Sequence, residues 1–314
     1  MFRYRQHLPQ LRGEMLLTDG GLETDLIFNH GFELPEFAAF VLLETEAGRE
    51  ALRAYFRRYL EIAREAGLGF VLEAPTWRAS RDWGRKIGYH PAAMASVNRC
   101  AIALMTELRA EYEHRLPHVV ISGSIGPRGD GYDPSERMTA DVAAGYHRSQ
   151  LATFAAAGAD LATAFTMPYA DEALGIARAA AVERIPVAIG FTVETDGRLP
   201  SGESLDEAIA LVENDSSTSP VYYMINCAHP EHFAQVLEAS PWAERIMAVR
   251  ANASCKSHAE LDESTELDAG DPEDLAARYR ELMRLLPNLR VIGGCCGTDH
   301  RHVGAMWRAL KMAA

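Results

Sequence analysis

Short apolar runs alternate with longer amphipathic segments along the 314-residue chain. The short runs are rich in Val, Ile, Leu and Ala, which is typical of buried parallel strands, and the longer segments have the spacing of helices that bury one face. The pattern predicts eight strands, at Met15–Asp19, Phe70–Ala74, Val119–Ser124, Leu161–Phe165, Val187–Thr192, Val221–Asn226, Ile246–Arg250 and Val291–Gly294. It predicts helices at Glu46–Ala66, Pro91–Arg115, Thr139–Ala157, Ala170–Val182, Leu205–Val212, Pro230–Leu237, Pro272–Leu286 and His300–Met312.

Eight strand–helix units in a chain of this length indicate an α/β protein, with residues 1–314 forming a single (β/α)8 barrel domain. A doubly wound open sheet has a similar alternation and is the alternative fold. In a barrel, functional groups lie at the C-terminal ends of the strands. Cys227 follows the sixth predicted strand, and Cys295 and Cys296 follow the eighth. This placement favours the barrel.

Two polar segments are predicted to be loops. Residues 214–220 are rich in turn-forming residues and precede the sixth strand. Residues 252–271 are acidic and contain few apolar positions, which predicts a long insertion over the catalytic face and a mobile lid. Such a charge run is also typical of a solvated surface.

The charge and composition favour a small-molecule partner. A net charge of -13 argues against a protein that binds the nucleic-acid backbone. No stretch approaches the roughly 18 to 20 apolar residues of a membrane span, and the segment from Met1 to Arg12 lacks the apolar core of a signal peptide. We therefore expect a soluble, cytoplasmic protein with no membrane partner; the sequence does not indicate its oligomeric state.

The five cysteines have irregular spacing, which predicts reduced thiols or metal ligands rather than disulfides. Cys295 and Cys296 are adjacent and framed by Gly293, Gly294 and Gly297, whose conformational freedom would let the backbone turn so that both thiols reach one ion. With Cys227 they form the three-thiolate set of a zinc site that has an open fourth position. Zn²⁺ is the predicted cofactor.

Three alternatives remain for these thiols: buried structural cysteines, a redox pair, or a structural metal site with a fourth protein ligand. Cys100 is interpreted as a buried small hydrophobe inside an apolar helix. A fourth ligand would come from Cys255, His229 or His258.

Five motifs follow predicted strands. They are Asp19-Gly20-Gly21-Leu22-Glu23-Thr24, Gly123-Ser124-Ile125-Gly126-Pro127, Phe191-Thr192-Val193 with Ser201-Gly202-Glu203-Ser204, Asn226-Cys227, and Gly293-Gly294-Cys295-Cys296-Gly297-Thr298. Through them the chain resembles, over nearly its whole length, the homocysteine S-methyltransferases, which include S-methylmethionine-dependent and betaine-dependent enzymes.

The resemblance implies a (β/α)8 barrel that binds one zinc through Cys227, Cys295 and Cys296, with the thiol of homocysteine as the fourth ligand. The thiolate would attack a methyl group on an onium donor and give methionine; zinc generates and positions the nucleophile. S-methylmethionine is the first candidate donor, and S-adenosylmethionine and betaine are alternatives. Two other hypotheses are a different thiol or selenol acceptor, and a zinc-binding or redox-sensing barrel without transfer activity.

The resemblance also implies substrate-binding residues. Asp19, Gly20 and Gly21 correspond to family residues around the amino acid substrate, where Asp19 would accept hydrogen bonds from an ammonium group. A plain Asp-Gly turn is the alternative. Asn226, beside Cys227, belongs to the same set.

One position departs from the family pattern. After the fourth strand the family usually has a Glu-Thr pair whose glutamate contacts the substrate amino group, whereas this chain has Phe165-Thr166. Glu73, at the end of the second strand, is our hypothesis for the replacement carboxylate. The alternative is that Glu73 anchors a nearby arginine such as Arg78 and that the acceptor is not homocysteine.

Aromatic residues near the strand ends offer a site for a methylated cation. Trp77, Phe165 and Tyr169 are candidates for an aromatic enclosure, because an aromatic face attracts positive charge. Core packing is the alternative use of these rings.

Overall fold

The computed structural model describes residues 2–218, 220–238 and 240–311. Eight parallel strands close into a barrel in chain order, and β8 pairs with β1 through Leu16↔Val291 and Leu17↔Ile292. The predicted (β/α)8 barrel is therefore confirmed, and the open sheet is excluded. The strands are β1 Leu16–Leu17, β2 Gly69–Glu73, β3 Val119–Ile125, β4 Leu161–Met167, β5 Val187–Phe191, β6 Tyr222–Asn226, β7 Ile246–Ala251 and β8 Val291–Gly294.

Helices surround the barrel. The α-helices are α1 Leu22–Thr24, α2 Glu46–Ala66, α3 Arg81–Lys86, α4 Pro91–Tyr112, α5 Ala140–Ala157, α6 Ala170–Glu183, α7 Leu205–Glu213, α8 Pro230–Leu237, α9 His258–Asp262, α10 Pro272–Leu285 and α11 His300–Lys311. A π-helical turn follows α1 at Asp25–Asn29, and 3₁₀ turns occupy Pro9–Arg12, Pro35–Phe37, Ala39–Glu44 and Pro241–Arg245. Within the described residues, no helix is both long enough and apolar enough to cross a bilayer.

All eight predicted helices are present, with ends shifted by a few residues at most. Met312, the last residue of the final predicted helix, lies outside the described residues, as does Ser219 of the predicted loop 214–220. The prediction missed α3 and the short helical turns after β1, because segments of three to six residues are too short to show a helical period. The predicted loop 252–271 contains one short helix, α9.

Helix α2 shows how local signals position the site. Thr45 begins the helix by accepting a hydrogen bond from the Gly48 backbone at 3.0 Å, and Gly67 ends it with a φ of 68°. Between these caps, α2 buries a face that includes Tyr55 and Tyr59. This face brings the Tyr55 hydroxyl to the end of β1, where it donates to Asp19 at 3.0 Å.

The barrel interior is packed with side chains. Alternate residues of the strands point inward and form a cluster that the N-terminal residue Leu8 joins. Phe165 belongs to the same cluster, and its position at the end of β4 puts it at the C-terminal face. This packing fills the interior, and the cavity associated with the barrel opens at the C-terminal ends of the strands. The inward-facing strand residues of this cluster include Leu16, Val71, Val120, Leu161, Ala188, Tyr222, Met224, Ala248 and Val291.

Candidate metal centre and substrate pocket

Three thiols meet at the C-terminal face of the barrel. Cys227 follows β6 directly, and Cys295 and Cys296 follow β8. Their sulfur atoms lie within 4.8 Å of one another, and the Sγ atoms of Cys227 and Cys296 are 3.5 Å apart. Zn–S bonds of about 2.3 Å at tetrahedral angles separate sulfur atoms by about 3.8 Å. The spacing and the soft donor set both fit a zinc ion.

The turn that carries Cys295 and Cys296 is fixed from both sides. Of its three flanking glycines, only Gly297 has a positive φ, of 78°. At Gly293 a Cβ would lie 2.7 Å from the Asp19 carbonyl oxygen, so a glycine is needed there because β1 approaches closely. Gly297 thus supplies the conformational freedom expected of the turn, whereas Gly293 allows the close approach of β1. The Thr298 hydroxyl closes the turn by donating to the Cys295 carbonyl at 2.7 Å.

Two residues at the mouth of the barrel, Thr166 near the end of β4 and Cys227 directly after β6, have strained backbone. Cys227 has a φ of 59° and Thr166 a φ of 60°, a region that non-glycine residues rarely adopt. Asn226 stabilises Thr166 with two contacts of 2.9 Å: its side-chain oxygen accepts from the Thr166 backbone, and its amide donates to the Thr166 hydroxyl. Cys227 is held by its own backbone N–H, which donates to the Arg250 carbonyl at 3.0 Å. Asn226 thus ties the end of β6, which presents the Cys227 thiol, to the end of β4.

The remaining candidate ligands lie outside the thiol cluster. Cys100 is exposed, so its interpretation as a buried residue was wrong: it lies on the outward face of α4. Cys255 is also exposed. The His229 ring accepts a backbone hydrogen bond at the start of α8, and His258 contacts the Cys227 carbonyl through Nε2 at 2.7 Å. Within the described residues, the cluster contains three protein ligands.

Sequence reasoning missed Tyr132, which lies in the connection between β3 and α5. Its hydroxyl is 2.8 Å from the Cys227 sulfur, and its ring packs on His258 with centroids 3.9 Å apart. Burial and the nearby thiols raise the pKa of Tyr132 well above its usual value, so the hydroxyl stays protonated and can donate to a thiolate. No motif marks a loop tyrosine of this kind in a single sequence.

The thiols are not equivalent. Hydrogen bonds from Cys227 and Cys296 lower the pKa of Cys295 well below its usual value, and the positive charge of Arg250 acts in the same direction. The pKa values of Cys227 and Cys296 are raised, chiefly by their contacts with neighbouring thiols. The three thiols are therefore coupled electrostatically, and Cys295 is the sulfur at which the thiolate form is most favoured.

Arg250, at the end of β7, is the second residue that sequence reasoning missed. It is buried and donates to the Gly294 carbonyl at 2.9 Å and to the Gly20 carbonyl at 2.8 Å. Its guanidinium is 3.0 Å from the Asp19 carboxylate. Asp19 is thus already neutralised by a buried ion pair, which fixes the turn after β1 against the turn after β8.

Ten of the predicted site residues line one cavity of about 470 Å³ beside the thiols. Gly21 lies so close to the turn that carries Cys295 and Cys296 that a Cβ would be 2.6 Å from the Cys295 carbonyl oxygen. Residues of segment 252–271 also line the cavity, including Leu261 of α9, so this segment lies over the catalytic face as predicted. The predicted lining residues are Asp19, Gly20, Gly21, Glu73, Trp77, Phe165, Asn226, Cys227, Cys295 and Cys296.

Glu73 lies in the cavity wall and accepts a hydrogen bond from Thr163 at 3.2 Å. Burial raises its pKa to about 7, although the charge of Arg250 acts in the opposite direction. Within the described part of the chain, Glu73 forms no ion pair with Arg78, so Arg78 is not the arginine that it anchors; the arginine whose charge acts on Glu73 is Arg250. Glu73 is a buried carboxyl group without a full countercharge.

The three aromatic residues do not form a shared enclosure. Trp77 and Phe165 line the cavity, whereas Tyr169 is absent from the described lining and its hydroxyl accepts from the Met138 backbone at 3.0 Å. The Arg78 guanidinium lies 4.0 Å from the Trp77 ring centroid, and that of Arg250 lies 5.2 Å from the Phe165 ring centroid. Each ring therefore already has a cation nearby.

Known proteins show the same fold and the same family. The chain is similar to a selenocysteine Se-methyltransferase of Brassica oleracea var. italica (24% identity, covering 98% of this chain and 92% of the relative) and to homocysteine S-methyltransferase 1 of Arabidopsis thaliana (26%, 95% and 94%). The crystal structure of the metallated homocysteine methyltransferase MmuM from Escherichia coli has a similar fold, with a TM-score of 0.72, 21% identity and coverage of 95% and 99%. The family model for homocysteine S-methyltransferase matches residues 16–310, so the chain belongs to that family and is a methyltransferase enzyme.

Proposed function

We propose that this protein is a zinc-dependent S-methyltransferase that moves a methyl group from an onium donor to the thiol of homocysteine, giving methionine. S-methylmethionine is the first donor to test. The observation that carries the proposal is the cluster of Cys227, Cys295 and Cys296, three soft ligands at the mouth of a barrel in this family. We further propose that residues 1–314 act as one domain, in which the metal site and the substrate pocket share the C-terminal face.

The three cysteines would hold the metal and leave one coordination position for the acceptor sulfur. When bound, zinc lowers the pKa of a ligating thiol and keeps it as a thiolate at neutral pH. The acceptor sulfur forms a bond to the methyl carbon while the bond from that carbon to the donor sulfonium breaks. The bonding electron pair stays with the leaving group, which departs as a neutral thioether.

The other residues of the pocket hold the substrates and the metal ligands in place. Tyr132 donates to the Cys227 sulfur, and Asn226 ties the end of β6, which precedes Cys227, to Thr166 of β4. The Asp19–Arg250 ion pair fixes Gly20 and Gly21 beside the Cys295 turn. These contacts orient the thiols without contributing a proton to the transfer.

Glu73 is the proposed partner of the acceptor's ammonium group, because Phe165 occupies the position where the resemblance expects a glutamate. An ammonium group beside Glu73 would stabilise its ionised form, which burial alone disfavours. Trp77 and Phe165 would supply apolar walls for the remaining carbon atoms of the substrates.

A second candidate acceptor is a different thiol or a selenol. Two observations favour it: Phe165 changes the acceptor pocket, and one similar protein is a selenocysteine Se-methyltransferase. A zinc-loaded sample assayed with a matrix of donors and acceptors tests both candidates. Transfer from S-methylmethionine to homocysteine supports the main proposal, whereas a higher kcat/KM with selenocysteine or another thiol supports the second. Zinc binding without transfer to any acceptor would leave a binding or redox-sensing barrel.

A further inference from the structure

A second buried arginine lies in the same cavity as the thiols, and its hydrogen-bonding capacity is largely unused. Arg78 follows Trp77 in the connection between β2 and α3, lines the cavity and is 8% exposed. Its one hydrogen bond within the described residues is a long contact of 3.4 Å from a terminal nitrogen to the Gly129 carbonyl. Its Nε has no partner among the described residues.

Two tryptophan rings lie against this guanidinium. The Trp77 centroid is 4.0 Å from the Arg78 guanidinium carbon, and the Trp83 centroid is 3.6 Å from it. The Trp83 ring is anchored because its indole donates to the Pro127 carbonyl at 3.1 Å, and the backbone that carries Trp77 is held by the Gly126 N–H, which donates to the Trp77 carbonyl at 3.0 Å. The two rings offer cation–π contacts but no hydrogen-bond acceptor, so most N–H donors of Arg78 stay available to a ligand.

The contrast with Arg250 shows that Arg78 lacks a structural partner. Arg250 is equally buried, but Asp19 neutralises it and two backbone carbonyls accept its hydrogen bonds. Within the described part of the chain, no carboxylate lies within 4.0 Å of Arg78; Asp130 acts on it only through longer-range charge. Burial of an unpaired cation is costly, so a fixed and unpaired arginine in a cavity wall indicates an anionic ligand.

The charge of the cavity restricts which anion fits. Its lining includes Glu23, Glu36 and Asp130, which all act electrostatically on Arg78. A phosphate would be repelled by these carboxylates, whereas a zwitterion that carries one carboxylate and one cationic group is compatible with both signs. A carboxylate also matches the planar fork of the guanidinium.

We propose that Arg78 binds the carboxylate of an amino acid substrate through its guanidinium edge. The inference rests on the proposed methyl transfer, because both homocysteine and S-methylmethionine carry such a group. It makes Arg78 a residue that selects amino acids over simple thiols or simple sulfonium compounds.

The test compares substrates with and without the carboxylate on zinc-loaded protein. The acceptor pair is homocysteine and 3-aminopropane-1-thiol, and the donor pair is S-methylmethionine and (3-aminopropyl)dimethylsulfonium. Dissociation constants come from calorimetric titration and KM values from transfer assays. The variants are Arg78→Gln and Arg78→Lys, and the control is Lys86→Gln, which removes an exposed cation 3.7 Å from the same Trp83 ring.

We expect Arg78→Gln to weaken binding of the carboxylate-bearing member of one pair by about 10- to 100-fold, as for loss of a charged hydrogen-bonded contact. Binding of its carboxylate-free partner should stay unchanged, Arg78→Lys should restore part of the loss, and Lys86→Gln should have no effect. The pair that responds identifies whether acceptor or donor supplies the carboxylate. Equal weakening of both members of each pair, or no preference for the carboxylate in the wild-type protein, would overturn the inference.

The dissociation constants test this inference separately from the proposed function, because they do not require methyl transfer. If the wild-type protein binds these molecules but transfers no methyl group, the proposed function fails while Arg78 is still tested by the dissociation constants. Zinc content and the thermal midpoint of Arg78→Gln, compared with those of the wild type, identify a folding defect. If Arg78→Gln does not fold, Arg78→Lys provides the comparison, since a lysine keeps the charge and loses the planar fork.

Discussion

Replacing Glu73 by glutamine should make the stability of the protein less dependent on pH. Glu73 is 7% exposed, and burial raises its pKa from 4.5 to about 7. The folded protein therefore holds a proton that the unfolded chain releases more readily. This contribution to stability is fully present below pH 4.5 and is lost as the pH rises through about 7.

The size of the effect follows from the two pKa values. From these two pKa values, linkage predicts that Glu73 lowers the free energy of unfolding by about 0.8 kcal/mol at pH 5 and by about 3.3 kcal/mol at pH 8. The difference is roughly 2.5 kcal/mol. At about 2.1 cal/mol/K of unfolding entropy per residue, a chain of this length loses roughly 4 °C of thermal midpoint for that difference. A glutamine can still accept from Thr163 but carries no ionisable group, so it removes this contribution.

Scanning calorimetry of the wild type and Glu73→Gln at pH 5 and pH 8 measures the effect. Glu14→Gln is the matched control, since Glu14 is exposed and remains hydrated in the folded protein. The measured quantity is the thermal midpoint of Glu73→Gln minus that of the wild type. We expect this difference to be about 4 °C higher at pH 8 than at pH 5. An equal gap at the two pH values would refute the account of Glu73 as a buried, uncompensated carboxyl.

Three further changes test the framework around the thiols. Asn226→Ala removes two buried hydrogen bonds to Thr166 and should lower the free energy of unfolding by about 2–3 kcal/mol in urea denaturation; an unchanged midpoint would contradict this role. Arg250→Met leaves Asp19 buried without its partner and should cost about 3–5 kcal/mol, of which the double variant with Asp19→Asn should recover a part. Tyr132→Phe should weaken zinc binding by about tenfold in chelator competition, while equal affinity would show that the Cys227 contact is dispensable.

The sequence was sufficient for the barrel because each strand–helix unit carries its own pattern and each thiol lies at a strand end. Cys227, Cys295 and Cys296 meet because all strands of a parallel barrel present their C-terminal ends to one face. In a parallel barrel, residues that directly follow different strands therefore lie near one another even when they are far apart in the sequence. The prediction needed no knowledge of side-chain packing.

The sequence did not show how the charged residues pair. Arg250 lies at the end of an ordinary apolar strand, and its contact with Asp19 joins residues 231 positions apart, as 250 - 19 = 231. Arg78 was considered as a partner of Glu73, whereas in the structure its guanidinium lies against the rings of Trp77 and Trp83. Such pairings depend on side-chain directions at the mouth, which a single sequence does not encode in any local pattern.

Zinc content and methyl transfer measured on the same protein sample test the central claim most directly. We expect one zinc per chain and transfer of a methyl group from an onium donor to homocysteine, with both lost together in Cys296→Ala while the circular dichroism of the barrel is retained. Full transfer activity in a zinc-free Cys296→Ala sample would contradict the claim that Cys227, Cys295 and Cys296 form the centre that activates the thiol.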